Sequence, residues 1–515
     1  MKTKRGSWIL ACLCSAMLLA CGGDDSSPGG SAGSSGSGGA GGSGATGGSA
    51  GSGGSSGAAG SAGSGGSAGG DAGSDVAPCA ATDIRGKLLC IPGLTIATDT
   101  TSGAFRRFTM TLDQPVDHTN PSGQKFKQRL TLLHRDEGAP VVLASSGYNI
   151  SSGGGEVTEL GTLFATNVIQ VEHRYFPPSI PDPVDWKYLN IKQSAGDYHD
   201  ITVAMKSIYK GKWINTGASK GGMTSIYFRR FYPNDLDATL AYVAPNSFGL
   251  DDQRYPEFIR KVGGDTYAAC RASLVELQKT VLMRRAEMTQ RMTSGTATYN
   301  SLGGADIALE HATLEMPFTF WQYRNPTSAT NGCSAIPAAD APIATLYPFF
   351  NTAAALSNFS DTGFEGFAAY YYQATNQLGA PGVDDSALVG LLAHRDTYRP
   401  AYYIPKGVEV PPWDAEAMVD VQNWVKTEGK TLMFVYGEYD PWSAGRYEIG
   451  ASGDNHVYVA PAANHSANVN RLSATDKAEA LMLLQNWLGV PPVMTLVPEG
   501  ESHHPFDDET YRPRL

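Results

Sequence analysis

The chain has 515 residues and a formal net charge of −11. It contains no run rich in lysine or arginine, which together with the acidic charge argues against nucleic-acid binding. The length suggests about two or three domains, but glycine, serine and alanine dominate much of the N-terminal part, which shortens the length available for folding.

The N-terminus has the pattern of an export signal. Three of the first five residues are basic, and an apolar run follows at 8–20. As a helix this run would rise about 20 Å, too little for a hydrocarbon core of roughly 30 Å. We interpret 1–20 as a signal peptide. Its end, Leu-Leu-Ala-Cys, resembles the lipobox of bacterial lipoproteins, which implies acylation of Cys21; an ordinary signal peptide with a chance cysteine is the alternative.

Residues 21–78 are predicted to be a tether that begins at the lipidated cysteine. Glycine, serine and alanine offer little apolar surface to bury, so nothing offsets the backbone entropy of folding. As a flexible coil the segment would span roughly 40 Å. We expect an exported protein, either anchored as a lipoprotein in the bacterial cell envelope and so in contact with the membrane through its lipid, or secreted.

Four cysteines follow the tether, at Cys79, Cys90, Cys270 and Cys333. An even set in an exported chain suggests disulfides, and four cysteines allow three pairings. The most local pairing joins Cys79 to Cys90 and Cys270 to Cys333. A metal site is the alternative, but no C-x-x-C or H-x-x-x-H spacing supports it, and we expect no metal or other cofactor.

Residues 79–250 are predicted to form the first part of an α/β domain. Its strand-like segments, rich in Val, Ile and Leu, lie at 129–135, 140–147, 167–176, 212–217 and 238–245. The segment 196–210 has the spacing of an amphipathic helix, and a second helix is expected after 222. Strands that alternate with helices predict a largely parallel sheet flanked by helices.

Residues 251–405 have a different pattern and are predicted to be a mostly helical cap. A long helix is expected at 267–292. Aromatic clusters broken by Gly and Pro follow at 318–323, 347–350 and 367–379. The second part of the α/β domain then spans 406–490, with strands at 431–437 and 456–465 and a helix at 474–489. The tail, 491–515, is rich in proline and charge and is predicted to be irregular.

The stretch 217–221, Gly-Ala-Ser-Lys-Gly, matches the pattern G-x-S-x-G. The tether also matches it by chance around Ser49, so the pattern alone means little. Ser219, unlike Ser49, follows a predicted strand and precedes a predicted helix, as in a nucleophile elbow. The helix N-terminus favours negative charge that develops nearby. We interpret Ser219 as a nucleophile; a structural strand–helix turn is the alternative.

A serine nucleophile needs a general base that is itself oriented by a carboxylate. In enzymes with a nucleophile elbow the order along the chain is Ser, Asp or Glu, then His. Asp440 follows one predicted strand and His465 follows the next, so both are expected at one edge of the sheet. Glu438 is the alternative carboxylate. We predict that Ser219, Asp440 and His465 form a catalytic triad.

An oxyanion hole requires two backbone N–H donors, one of them from the residue after the nucleophile. That residue is Lys220. The second donor is expected in the glycine-rich loop 145–155, at Tyr148 or Gly147. A flexible loop without this role is the alternative.

These motifs together resemble the secreted bacterial prolyl tri/tetrapeptidyl aminopeptidases, relatives of lysosomal prolyl carboxypeptidase and dipeptidyl peptidase II. The resemblance covers roughly 100–490 and is carried by the blocks VEHRYFPPS, TGASKGGMT, YGEYDPWS and NHS. It implies an α/β-hydrolase fold with an inserted helical cap and a triad of Ser219, Asp440 and His465. It also implies release of short N-terminal peptides that end in proline, through an acyl-enzyme, so the expected partners are peptides with proline near the N-terminus.

An aminopeptidase must also hold the free α-ammonium group of its substrate, most directly with a carboxylate. Glu172, Glu310 and Glu315 are the candidates. The alternative is that they form salt bridges, as Glu172 would with Arg174 or another cation. The aromatic residues of the cap are candidates for a pocket that stacks on proline, although such residues are more often core.

Two other functions fit the same residues. An esterase or lipase is one, because fold and triad do not select amide over ester bonds; dependence on a free amine would separate them. A non-catalytic surface-binding lipoprotein is the other, and it would fail to react with a fluorophosphonate.

Overall fold

The computed structural model describes residues 79–151 and 155–493. The predicted signal peptide, Cys21 and the tether lie outside the described residues, as does the tail from 494 onward. Within the described ranges, no helix is long and apolar enough to cross a membrane.

A nine-stranded sheet forms the centre of the described chain. Its strands are β1 (Leu94–Ser102), β2 (Phe105–Pro115), β3 (Lys125–His134), β4 (Val141–Ser145), β5 (Asn167–Val171), β6 (Trp213–Ala218), β7 (Ala238–Tyr242), β8 (Leu432–Gly437) and β9 (His456–Ala460). Their order is β1-β2-β3-β5-β4-β6-β7-β8-β9. The first three strands and the β3–β5 pair are antiparallel, and the six strands from β5 to β9 in this order are parallel.

Twelve α-helices accompany the sheet in the described ranges. They are α1 (Ile84–Leu89), α2 (Glu159–Phe164), α3 (Ile191–Lys206), α4 (Lys220–Phe231), α5 (Arg254–Lys261), α6 (Ala268–Met283), α7 (Arg285–Thr293), α8 (Ala305–Tyr323), α9 (Ile343–Ala353), α10 (Asp361–Gln373), α11 (Ala417–Thr427) and α12 (Ala474–Leu488). Short 3-10 turns connect several of them.

Helices cover both faces of the parallel strands. Every residue of β4 to β8 is buried, as expected where both faces are covered. One face packs against α3, α4 and α11, and the other against α2 and α12. This arrangement, with a strand–turn–helix elbow after β6, is an α/β-hydrolase fold, which confirms the predicted fold class.

The residues between β7 and β8 build a separate hydrophobic core. It is formed by buried side chains of α6 to α10, and it also takes in Tyr148 and Phe176 from loops at the sheet edge. No described strand of the sheet lies between Tyr242 and Leu432. These findings support our proposal that 251–405 form a helical cap.

The helix predicted at 267–292 is interrupted, and that prediction was wrong. Helix α6 ends at Met283 and α7 begins at Arg285. Between them Arg284 has φ −100° and ψ 25°, outside the helical range. Its guanidinium donates to the carbonyl of Ala341 (2.6 Å), a contact that ties the break to a distant part of the cap.

The four cysteines form two disulfides, Cys79–Cys90 and Cys270–Cys333, the most local of the three possible pairings. The first lies at the start of the described chain. The second closes a stretch of 63 residues within the cap. A closed loop of that length reduces the entropy of the unfolded chain substantially.

A buried ion pair joins the loop after β5 to α3, and a histidine on the same carboxylate makes the stability of the fold depend on pH. Arg174 makes a bidentate contact with Asp197 (2.6 and 2.7 Å), and His118 Nε2 lies 2.9 Å from the same carboxylate. Burial lowers the pKa of His118, but hydrogen bonds to Asp197 and Asp200 outweigh it and raise the pKa to about 9 from an ordinary 6.5. Protonated His118 therefore stabilises the folded state.

We predict that His118→Gln loses stability in a pH-dependent way. Because the folded pKa is raised, the stabilisation by His118 is full below pH 6.5 and is lost as the pH rises through 9. The measurement is the free energy of urea unfolding of both proteins at pH 6.0, 7.5 and 9.5, where the gap should shrink with pH. His134→Gln is the control. Because burial lowers the pKa of His134, the effect of this substitution on the free energy of unfolding should change with pH in the opposite direction. A gap that stays constant for His118→Gln would contradict this account.

Candidate active site

Ser219 lies at the turn between β6 and α4. Its φ of 56° and ψ of −127° are strained for a residue with a side chain. Its N–H donates to the carbonyl of Tyr242 (3.0 Å), and its carbonyl accepts from the N–H of Met223 (3.0 Å). The residue is partly exposed, whereas its two neighbours are buried. The strand–turn–helix predicted from the sequence is therefore present at Ser219.

Two glycines permit this turn through close main-chain contact. A Cβ on Gly217 would overlap the carbonyl of Gly221 and lie 2.8 Å from that of Ser145. A Cβ on Gly221 would overlap the Ser145 carbonyl. Main chain packs directly on main chain here, so only glycine fits at either position.

Asp440 and His465 meet on the loops that follow β8 and β9. Asp440 Oδ2 lies 2.8 Å from His465 Nδ1, and both side chains are fully buried. The second carboxylate oxygen of Asp440 accepts from the N–H of Trp442 (3.2 Å). The main-chain N–H of His465 donates to the carbonyl of Gln322 (3.0 Å), near the end of α8. The pair is therefore held by both the sheet loops and the cap.

The other ring nitrogen of His465, Nε2, is buried and has no hydrogen-bond partner among the described residues. The structure therefore brings Asp440 and His465 together but does not join His465 to Ser219 by a hydrogen bond. Catalytic hydrogen bonds of this kind are often long before substrate binds. An Nε2 held without a partner, on a ring whose Nδ1 is bound to a carboxylate, has the arrangement that a general base requires.

Glu438, the alternative carboxylate, is exposed and accepts a hydrogen bond from the N–H of Ala462 (2.6 Å). Asp440 rather than Glu438 is thus the carboxylate on His465.

The two predicted oxyanion donors differ in their surroundings. Lys220 is the first residue of α4, where main-chain N–H groups have no partner within the helix. The N–H of Tyr148 donates to Ser146 Oγ (2.9 Å), so the choice of Tyr148 as the second donor is not supported. Gly147 (φ 77°) packs so closely on the first turn of α4 that a Cβ there would overlap Gly221. We therefore take Gly147 as the candidate.

Glu172 is buried and its carboxylate is fully engaged. It pairs with Arg129 and accepts from the N–H of Ile150 (3.0 Å) and the hydroxyl of Ser179 (2.7 Å). Burial raises the pKa of Glu172, and these hydrogen bonds oppose the rise. Arg174, the cation suggested by the sequence, binds Asp197 instead. The contacts of Glu172 are those of a structural salt bridge.

Glu310 is likewise buried and bound. Its carboxylate accepts from Arg285 (2.8 Å) and from the main-chain N–H groups of Ala393 (2.8 Å) and His394 (2.6 Å). These contacts join α7, α8 and the segment before β8. Like those of Glu172, the contacts of Glu310 are structural.

Glu315 has a different environment. It is buried on α8 and borders a small cavity together with Phe318, Val383 and Tyr398. Burial, and then the negative charge of Glu315, raises the pKa of Tyr398. The structure therefore places one of the three candidate carboxylates against a cavity, among aromatic side chains of the cap.

Aromatic residues of the cap and of the loop after β8 lie near His465 and Tyr148. The ring of Tyr323 lies 5.9 Å from that of His465, and Trp442 lies 6.3 Å from it. Tyr370 packs against Tyr148 at 6.2 Å. Sequence analysis had identified the clusters but not which rings approach His465. It also missed the inward side chain of Lys220, for which the sequence carries no signal.

With this geometry established, comparison with known proteins identifies the family. A family model described as PS-10 peptidase S37 matches residues 77–505. The chain belongs to the peptidase S37 family. This S37 peptidase is 38% identical over 430 residues to the prolyl tri/tetrapeptidyl aminopeptidase of Streptomyces mobaraensis, covering 82% of this chain and 88% of that one. It is a serine hydrolase with peptidase function.

Two solved structures match the chain at low identity. The proline iminopeptidase of Mycobacterium smegmatis is 14% identical with a TM-score of 0.35, covering 74% of this chain and 99% of its own. The homoserine O-acetyltransferase of Staphylococcus aureus is 13% identical with a TM-score of 0.36, covering 75% and 95%. Nothing about the substrate of the S37 peptidase follows from either.

We predict that Asp440→Asn lowers kcat by about 10³- to 10⁴-fold, because His465 would lose the carboxylate that fixes its tautomer and stabilises its charged form. The measurement is steady-state hydrolysis of a substrate that the S37 peptidase cleaves, with thermal unfolding recorded alongside. Glu438→Gln removes the same charge two residues away and should leave kcat within about twofold. Equal losses in the two variants would contradict the assignment of Asp440.

Proposed function

We propose that this S37 peptidase releases short peptides ending in proline from the N-termini of peptide substrates. The observation that carries the proposal is the buried Asp440–His465 pair on the loops after β8 and β9, in a chain whose elbow presents Ser219 after β6. The type of substrate is inferred from the relative of Streptomyces mobaraensis, with which the chain shares 38% identity.

In the proposed reaction, His465 Nε2 takes the proton of the Ser219 hydroxyl as Oγ attacks the carbonyl carbon of the substrate proline. The oxyanion that forms accepts hydrogen bonds from the N–H groups of Lys220 and Gly147. His465 then gives its proton to the leaving amine, and the shortened peptide departs. Water attacks the acyl ester with His465 again as base, the ester bond to Ser219 Oγ breaks as His465 returns the proton to that oxygen, and the proline-ending peptide is released. Asp440 stabilises the positive charge on His465 throughout.

We further propose that Glu315 binds the α-ammonium group of the substrate. Glu172 and Glu310 are already bound by an arginine and by main-chain N–H groups, so a substrate amine would have to displace those contacts. Glu315 interacts with Tyr398 and also borders a small cavity of the cap. The negative charge of Glu315 also contributes to raising the pKa of Tyr370, after burial and Tyr255, and Tyr370 packs on Tyr148.

The position of Glu315 on α8 is consistent with a short peptide. Gln322, seven residues further along the same helix, binds the main chain of His465. Seven helical residues span roughly 10 Å. An extended tripeptide also spans about 10 Å, from its amine to the carbonyl of its last residue. This similarity in length supports a short peptide lying between Glu315 and the region around His465.

The first test is the range of substrates cleaved by the purified protein. We expect hydrolysis of Ala-Ala-Pro-p-nitroanilide but not of its N-succinylated form, and we expect Ser219→Ala to abolish it. p-Nitrophenyl butyrate serves as the ester control. Ester hydrolysis without peptide cleavage would reject the peptidase proposal in favour of an esterase. Folded protein that neither turns over these compounds nor reacts with a fluorophosphonate would favour a binding function.

For Glu315→Gln we expect kcat/KM on the free-amine peptide to fall by about 10- to 100-fold, since a hydrogen bond to a charged group contributes about 1.5–3 kcal/mol. Ester hydrolysis should be unchanged. Glu365→Gln removes one negative charge from an exposed position of α10 in the same cap and is the matched control. A parallel loss on peptide and ester would show that Glu315 supports the fold rather than the amine.

A further inference from the structure

Lys220 directs its side chain into the protein although it neighbours the candidate nucleophile. The residue is 1% exposed, and its Nζ donates to the carbonyl of Gly147 (2.7 Å). The ammonium group lies over the rings of Tyr148 (5.6 Å) and Phe176 (5.4 Å). No carboxylate of the described residues forms an ion pair with it.

Such a side chain is costly to bury. An amine removed from water loses its hydration, and no opposite charge compensates for it here. Burial holds the pKa of Lys220 well below its ordinary value of 10.5, and the group donates a hydrogen bond to the Gly147 carbonyl. An apolar side chain of similar length would fill the same space at less cost, so packing alone does not account for the amine.

The carbonyl that Lys220 holds belongs to a peptide group fixed at both ends. The Gly147–Tyr148 peptide accepts from Lys220 Nζ at its oxygen and donates to Ser146 Oγ (2.9 Å) at its nitrogen. The next carbonyl, that of Tyr148, accepts from the N–H of His173 (2.9 Å). The loop after β4 is therefore held in one orientation against the first turn of α4.

We propose that the Lys220 side chain is a positioning residue for the oxyanion hole. By fixing the Gly147 carbonyl, it holds the loop so that the N–H of Gly147 and the main-chain N–H of Lys220 point at one oxyanion. A single residue then supplies one donor through its main chain and orients the other through its side chain. This inference rests on the proposed function, in which those two N–H groups stabilise the oxyanion.

The test is Lys220→Met in the whole protein, which keeps length and apolar volume but removes the donor. We expect kcat to fall by about 10- to 100-fold, less than or equal to the loss of a whole oxyanion donor, with KM changed by less than about threefold. A peptide boronic acid, which forms a tetrahedral adduct with the nucleophile, should lose affinity by the same factor as kcat/KM. Affinity for the product peptide Ala-Ala-Pro should not change.

Lys206→Met is the matched control. Lys206 also donates from Nζ to a main-chain carbonyl, that of Asp235, but it lies on α3 away from the elbow. We expect this variant to lose thermal stability without losing kcat or affinity for the boronic acid. If Lys220→Met behaves in the same way, with lower stability and intact catalysis, the proposal is wrong.

Ser146→Ala examines the same peptide group from its other end and decides the matter if Lys220→Met does not fold. Ser146→Ala alone should lower kcat and boronic-acid affinity together. Where Lys220→Met folds, the losses in the double variant should be less than multiplicative because both side chains fix one peptide. Unchanged catalysis in Ser146→Ala, or fully multiplicative losses, would overturn the proposal.

The Lys220 proposal can be tested even if the proposed substrate is wrong. If the unmodified protein cleaves no prolyl peptide, the substrate assignment fails. The Lys220 proposal is then measured by the rate of fluorophosphonate labelling of Ser219, which develops charge on the oxygen of the reagent. That rate should be about 10- to 100-fold lower in Lys220→Met, and an unchanged rate would reject the proposal.

Discussion

The candidate active site depends on main chain packed directly against main chain where β4, β6 and α4 meet. Gly217 and Gly221 admit the Ser145 carbonyl at distances that no side chain would allow. Protein interiors are packed too densely to absorb an added methyl group without movement. The position of the Ser219 hydroxyl is therefore set by the sheet itself, and the strain at Ser219, of order 1–3 kcal/mol, is held by the hydrogen bonds of its own main chain to Tyr242 and Met223.

Contacts from the cap and from the loops of the sheet together orient His465. His465 is oriented by Asp440 from the sheet side and by the Gln322 carbonyl from α8, so this candidate base is held by both parts of the protein. Tyr323 and Trp442 pack near its ring. Burial of this kind excludes water and lowers the local dielectric constant, which strengthens the interaction between the carboxylate and a charged imidazole. A displacement of α8 would therefore disturb the position of His465.

Much of this arrangement was predictable because its signals are local. Strands covered on both faces are short apolar runs, an elbow needs glycines within a few residues of the serine, and the chain order places Asp440 and His465 after successive strands. The strand β1 was missed for an equally physical reason. It is rich in threonine and mostly exposed, and it is held by main-chain bonds to β2 rather than by a buried face, so it leaves no hydrophobic pattern.

What the sequence did not reveal was decided by partners distant along the chain. Glu172, Glu310 and Glu315 are the same residue type, each beside apolar or aromatic neighbours in sequence. Arg129 reaches the first across 43 positions and Arg285 the second across 25, which makes both of them structural. The position of the Lys220 side chain also depends on a distant partner. A lysine beside the candidate nucleophile would ordinarily face solvent. Here its side chain is buried and donates a hydrogen bond to the carbonyl of Gly147, 73 positions earlier. For a charged residue, the tertiary partner decides the role, and the residue type only limits the choice.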